Sequence, residues 1–164
     1  GGLVALLNAS KMGNILKGIF AINAPLKLNN KKAKLVPAVS FWNDLLTSIN
    51  IHGAHMDYIV NPTESPDVNY NKNYLKGVVQ LSKMIDACSE QLPKITCPAL
   101  IIQGDKDPTV NPVSGQMILD AIGSTKKELV MMPFNRHVII RKENSEIVFE
   151  RILVFVNSIF SDKA

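Results

Sequence analysis

Only two cysteines, Cys88 and Cys97, occur in the 164 residues, too few for a disulfide framework and unlike any metal cluster. Both read as buried small hydrophobes, and a reducing cytoplasm is the compartment they suit best. Aromatic residues are scarce at 6%, and no dense run of one charge exists. The net charge is +4, but the densest basic group, Lys31, Lys32 and Lys34, has no interleaved aromatics, so a nucleic-acid footprint of charge and stacking is excluded. No apolar run nears the roughly 18–20 residues that a bilayer crossing takes. Repeats and low-complexity tracts are absent too. With hydrophobic residues at 46% and charged residues at 20%, what remains is a globular chain of one domain's size, long enough to bury a core.

The chain opens on Gly1-Gly2 and runs directly into apolar sequence without a methionine or a leader, as expected of a piece of a longer protein. Residues 3–12 (LVALLNASKM) read as a buried helix ended by Gly13-Asn14. Residues 17–23 (KGIFAIN), followed by Ala24-Pro25, read as a buried strand. Between residues 26 and 93 no second strand of that quality occurs. Residues 33–51 look helical, with Phe41, Trp42, Leu45 and Leu46 on the apolar side and Pro37 as an interruption. Residues 61–73 are a polar loop rich in Asn and Pro. Residues 74–92 form an amphipathic helix in which Leu75, Val78, Val79, Leu81, Ile85 and Cys88 recur at three- and four-residue spacing. An all-helical insert of this kind between strands reads as a cap. After Pro93 strands and helices alternate again: ALIIQ at 99–103, a helix at 112–122, ELVMM at 128–132 and a last helix at 145–160. That alternation predicts an α/β fold with a mostly parallel sheet.

The residues that carry chemistry follow two of these strands directly. Gly104-Asp105-Lys106-Asp107-Pro108 comes after ALIIQ, and Asn135-Arg136-His137 comes after ELVMMPF. Groups at the carboxyl ends of parallel strands converge on one crevice, so Asp107 and His137 are expected within hydrogen-bonding reach. A histidine and a carboxylate in that relation match two members of a Ser-His-Asp triad. Asp105 is the rival acid, and either aspartate could instead serve the turn by bonding local backbone. His52, His55 and Asp57 form a second string, but its spacing is not that of a helical zinc motif; no metal site is expected.

In this order the segments resemble the C-terminal part of an α/β-hydrolase of the carboxylesterase, monoacylglycerol lipase and lysophospholipase type. PALIIQGDKDPTVNP is similar to that family's acid motif, Gly-x-x-Asp-x-x-Val, which falls on Gly104, Asp107 and Val110. RHVII resembles the histidine loop, placing the catalytic histidine at His137, and FVNSIF resembles the closing helix. Gly1-Gly2-Leu3 look like the residues after the nucleophile in Gly-x-Ser-x-Gly-Gly, and LKGIFAINAP is similar to the strand before the cap. The resemblance implies that residues 1–34 are the helix and strand after the nucleophile, that 35–93 are a helical cap or lid, and that 94–164 carry the acid and histidine. It also implies that the serine lies upstream of Gly1, since Ser10, Ser40 and Ser114 sit in no Gly-x-Ser-x-Gly frame.

The expected activity is cofactor-free hydrolysis of a small carboxylic ester by the parent protein, with little turnover by this chain alone. Trp42, Phe41, Met56 and Tyr58 are candidate substrate-lining residues. Thioesterase, lysophospholipase or perhydrolase chemistry would use the same groups. A different class of reading is an inactive assembly module: an open sheet edge invites pairing with another copy or with the missing N-terminal half.

Overall fold

The computed structural model describes residues 1–29, 36–48, 56–60, 72–141 and 143–161. The chain divides into two compact units, one of Gly1–Asn29 with Ile85–Ala164 and one of Asn30–Met84.

The first unit is built on a parallel sheet. Strands β1 (Ile19–Ile22), β4 (Ala99–Gly104) and β5 (Lys127–Met132) lie side by side in the order β1-β4-β5, with Ile22 opposite Ile102 and Gly104 opposite Met132. The central strand β4 is apolar nearly throughout and buried at every residue, because helices cover both faces of a parallel sheet. Its Leu100 and Ile102 point into a cluster with Met132, Phe134, Ile139, Val148, Phe155 and Ile159, the last three on helix α5 (Glu146–Ser161). The alternate residues Ala99, Ile101 and Gln103 therefore face the other side, where α4 (Val113–Ala121) packs. Helix α1 (Gly2–Met12) buries Leu3, Leu6 and Ala9 and packs on β1. It stops at Gly13, whose φ of 50° is one that a side chain resists.

The second unit holds α2 (Val36–Ser48), the start of α3 (Leu75–Gln91) and two short antiparallel strands, β2 (Tyr58–Val60) and β3 (Lys72–Tyr74). This ribbon corrects the expectation of an all-helical insert. Three-residue strands with Lys72 and Asn73 in one of them carry no alternating apolar pattern for a sequence reading to detect. Cross-strand contacts hold them instead. Tyr58 and Tyr74 pair directly with ring centroids 6.1 Å apart, edge to face, and the Lys72 ammonium sits 4.2 Å above the Tyr58 ring, both favourable arrangements for aromatic quadrupoles. At the ribbon's end the Leu75 N–H donates to Asp57 O. Pro37 falls in the first turn of α2, where its missing N–H costs nothing, so it opens the helix rather than interrupting it.

No helix among the described residues is long and apolar enough to cross a membrane.

Candidate active site

Both chemistry-bearing loops leave the carboxyl ends of adjacent strands. The loop after β4 starts with the Asp105 N–H donating to Met132 O and the Lys106 N–H donating to Phe134 O, so it is laced to the segment that leaves β5. Two residues on, Asp107 turns inward and is only 2% exposed. Its Oδ1 accepts the backbone N–H groups of Thr109 at 2.8 Å and Val110 at 2.9 Å. Its Oδ2 lies 2.8 Å from Nδ1 of His137. Asp105, the rival acid, is exposed.

Burial pushes the Asp107 carboxyl up, but the His137 hydrogen bond, the Val110 and Thr109 N–H donors and the charge of His137 outweigh it and hold the group below the ordinary 3.8. An ionised carboxylate only accepts, so Nδ1 of His137 must carry the proton it shares with Asp107. In the neutral ring the basic lone pair then resides on Nε2. The His137 side chain is 36% exposed, so a buried acid holds a ring that reaches solvent.

The same shift sets a pH dependence. A carboxyl with a folded-state pKa below its unfolded one adds stability that is complete above the unfolded value and is lost as pH falls through the folded one. The thermal midpoint of the chain should therefore fall with acidification below about pH 4. In Asp107→Asn that decline should be shallower, which a midpoint-against-pH series on the two proteins checks.

Two further residues hold this arrangement, and sequence reasoning did not single them out. Asn29 donates from Nδ2 to Asp107 O at 2.7 Å, and its own N–H donates to Thr109 O. Beside it Leu28 and Val110 form an antiparallel bridge. Asn23, at the end of β1, bonds both Gly104 and His137. Arg136, next to His137, lies over the Phe134 ring and donates to Glu143 O.

The other sequence candidates fall elsewhere. Met56 lines a cleft of about 320 Å³ within the second unit, together with Asp44, Asp57, Tyr74 and Lys76. Phe41, Trp42 and Tyr58 are exposed and do not line that cleft. His52 and His55 lie outside the described residues. Cys88 is buried, with its thiol pushed up to about 11 by desolvation, as expected of an inert packing residue. Ser114 is buried and exchanges hydrogen bonds with the Lys27 backbone.

Residues 1–144 match the family described as serine aminopeptidase, S33 (Hydrolase_4). A thermostable monoacylglycerol lipase of Bacillus sp. (strain H-257) is 32% identical over 104 residues, which cover 62% of this chain and 42% of the lipase. Among solved structures, one of the metagenome-derived lipolytic enzymes LipS and LipT superposes with a TM-score of 0.74 at 24% identity, over 96% of this chain and 61% of that one. A monoacylglycerol lipase of Paleococcus ferrophilus superposes with a TM-score of 0.72 at 14% identity, over 97% and 65%. These likenesses give the α/β-hydrolase fold. The chain spans less than half the length of the curated relatives it matches.

Proposed function

The chain belongs to the Hydrolase_4 family, and from that premise we propose that it is the C-terminal part of a serine hydrolase acting on carboxylic esters, with His137 as general acid–base and Asp107 as its orienting acid. The observation that carries this reading is the 2.8 Å contact between a buried carboxylate and Nδ1 of a half-exposed histidine. The nucleophilic serine and its oxyanion donors belong to sequence before Gly1. In the reaction the serine Oγ bonds to the ester carbonyl carbon while its proton passes to Nε2 of His137. The imidazolium, steadied by Asp107, returns that proton to the departing alcohol oxygen. Water then repeats the sequence on the acyl-enzyme and releases the acid. No metal or cofactor enters these steps.

The monoacylglycerol lipase relative supports an ester with an apolar part, against the amide that the family's description names. Residues 35–93 are the cap in this reading, and Phe41, Trp42, Met56 and Tyr58 are its candidate substrate-binding residues. Among the described strands β1 is paired on one side only, and its other edge receives a strand from the rest of the full-length protein.

A fluorophosphonate probe tests the assignment on this chain and on the full-length protein. Labelling of the full-length protein at an upstream serine, with none on the isolated chain, is expected. Stoichiometric labelling of the chain itself would place the nucleophile within it. Turnover of an aminoacyl p-nitroanilide in preference to p-nitrophenyl esters would replace the ester by an amide.

A further inference from the structure

We infer that Asn23 is a positioning residue for His137, an inference that rests on the acid–base reading of the Asp107–His137 pair. Asn23 stands where β1 ends, 3% exposed, with a φ of 45° that few residues besides Gly and Asn adopt readily. Its backbone N–H continues the parallel ladder by donating to Ile102 O at 2.9 Å. Its side chain then splits two ways. Oδ1 accepts the Gly104 N–H at 2.7 Å, and Nδ2 donates to the main-chain O of His137 at 2.6 Å.

One amide thus ties together the end of β1, the peptide from which the acid loop departs, and the peptide that carries the histidine. The junction is tight. A Cβ on Gly104 would lie 3.3 Å from Phe134 O, 3.6 Å from Arg136 O and 3.7 Å from Nδ2 of Asn23. The backbone conformation alone does not call for asparagine, because glycine satisfies a φ of 45° equally well. What asparagine alone adds is one acceptor and one donor on a short planar group. Aspartate keeps the acceptor for Gly104 but sets a second oxygen against the His137 carbonyl.

The consequence for His137 is mechanical. Asp107 holds the ring at Nδ1, and Asn23 holds the peptide from which the side chain springs. With both ends fixed, Nε2 has one direction in which to present its lone pair. With the peptide released, the ring still seeks Asp107 but its approach to the serine varies, and a misplacement of about 1 Å can cost 10²-fold.

Two variants, Asn23→Asp and Asn23→Gly, test this; the glycine variant keeps the left-handed backbone and so remains folded. The first readout is made on this chain, by following the His137 Nδ1 proton in NMR spectra and identifying it by its loss in Asp107→Asn. In both Asn23 variants that proton should exchange at least about tenfold faster, the equivalent of one hydrogen bond. The second readout is kinetic, on the full-length protein, where kcat should fall about 10²-fold with KM within about twofold. A general loss of stability would leave neither signature in protein kept well below its melting point. An Asp107-dependent proton that is present in wild type and unchanged in both Asn23 variants, with kcat unchanged, overturns the inference alone. Absence of that proton from the wild-type chain removes the acid–base reading and this inference with it.

Discussion

Replacement of His137 by alanine in the full-length protein is expected to lower kcat for an ester substrate by about 10⁶-fold. A loss that large follows because the histidine acts in two steps, removing a proton from the serine and then delivering one to the leaving alcohol. A serine hydroxyl left without its base is a poor nucleophile at neutral pH. Binding and the oxyanion donors survive the substitution, so a residual rate of roughly 10³–10⁴ over water should remain. KM should change little, since His137 meets the ester only at the reacting atoms. Steady-state kinetics on a p-nitrophenyl ester, with fluorophosphonate labelling alongside, check both points. A variant that keeps more than about a hundredth of wild-type kcat would exclude His137 as the general base.

Asp107→Asn is the second large effect, with an expected fall in kcat of about 10⁴-fold. The geometry says why an almost isosteric change is so damaging. Oδ1 is fixed by the N–H groups of Thr109 and Val110, and in the asparagine the amide oxygen must keep that place. The NH₂ group is then the one turned toward Nδ1 of His137. It donates, so Nδ1 must accept, and the ring proton moves to Nε2 where the lone pair is needed. The variant thus stays folded with the histidine present but in the wrong tautomer. The kinetic loss should lessen as pH rises and the serine needs less help. A pH–rate profile of the variant, set against its unchanged fold by circular dichroism, distinguishes this from simple destabilisation.

Much of this was legible in the sequence where local composition carries the signal. ALIIQ between Pro98 and Gly104 reads as a buried strand, and β4 is buried at every residue. The amphipathic run that became α3 differed from its expected bounds by one residue at each end. Asp107 and His137 could be matched because each lies on the loop that leaves a strand, and parallel strands bring such loops together. What stayed hidden depends on contacts between distant residues. Asn23 looked like the last residue of a strand before a turn, since its partner His137 lies 114 residues away. Asn29 fell in no predicted helix or strand, and its partner Asp107 lies 78 residues on. The acid motif already pointed to Asp107 over Asp105, and it is Asp107 whose Oδ2 meets His137 while Asp105 is exposed. The β2–β3 ribbon escaped because a tyrosine pair stabilises it across strands rather than along them.

Every partner named for Asp107, Asn23 and Asn29 lies within Gly1–Asn29 or Ile85–Ala164. The 55 residues of the other unit supply none of those bonds. Heredity can therefore treat the two stretches of sequence differently. Substitution among the described residues of 30–84 replaces none of the partners named for Asp107, Asn23 and Asn29. Change within 99–137, by contrast, is constrained at nearly every turn, since one misplaced backbone donor there reaches the carboxylate directly. Divergence among relatives of this chain should accordingly concentrate in the inserted stretch, while the short run from β4 to His137 changes slowly.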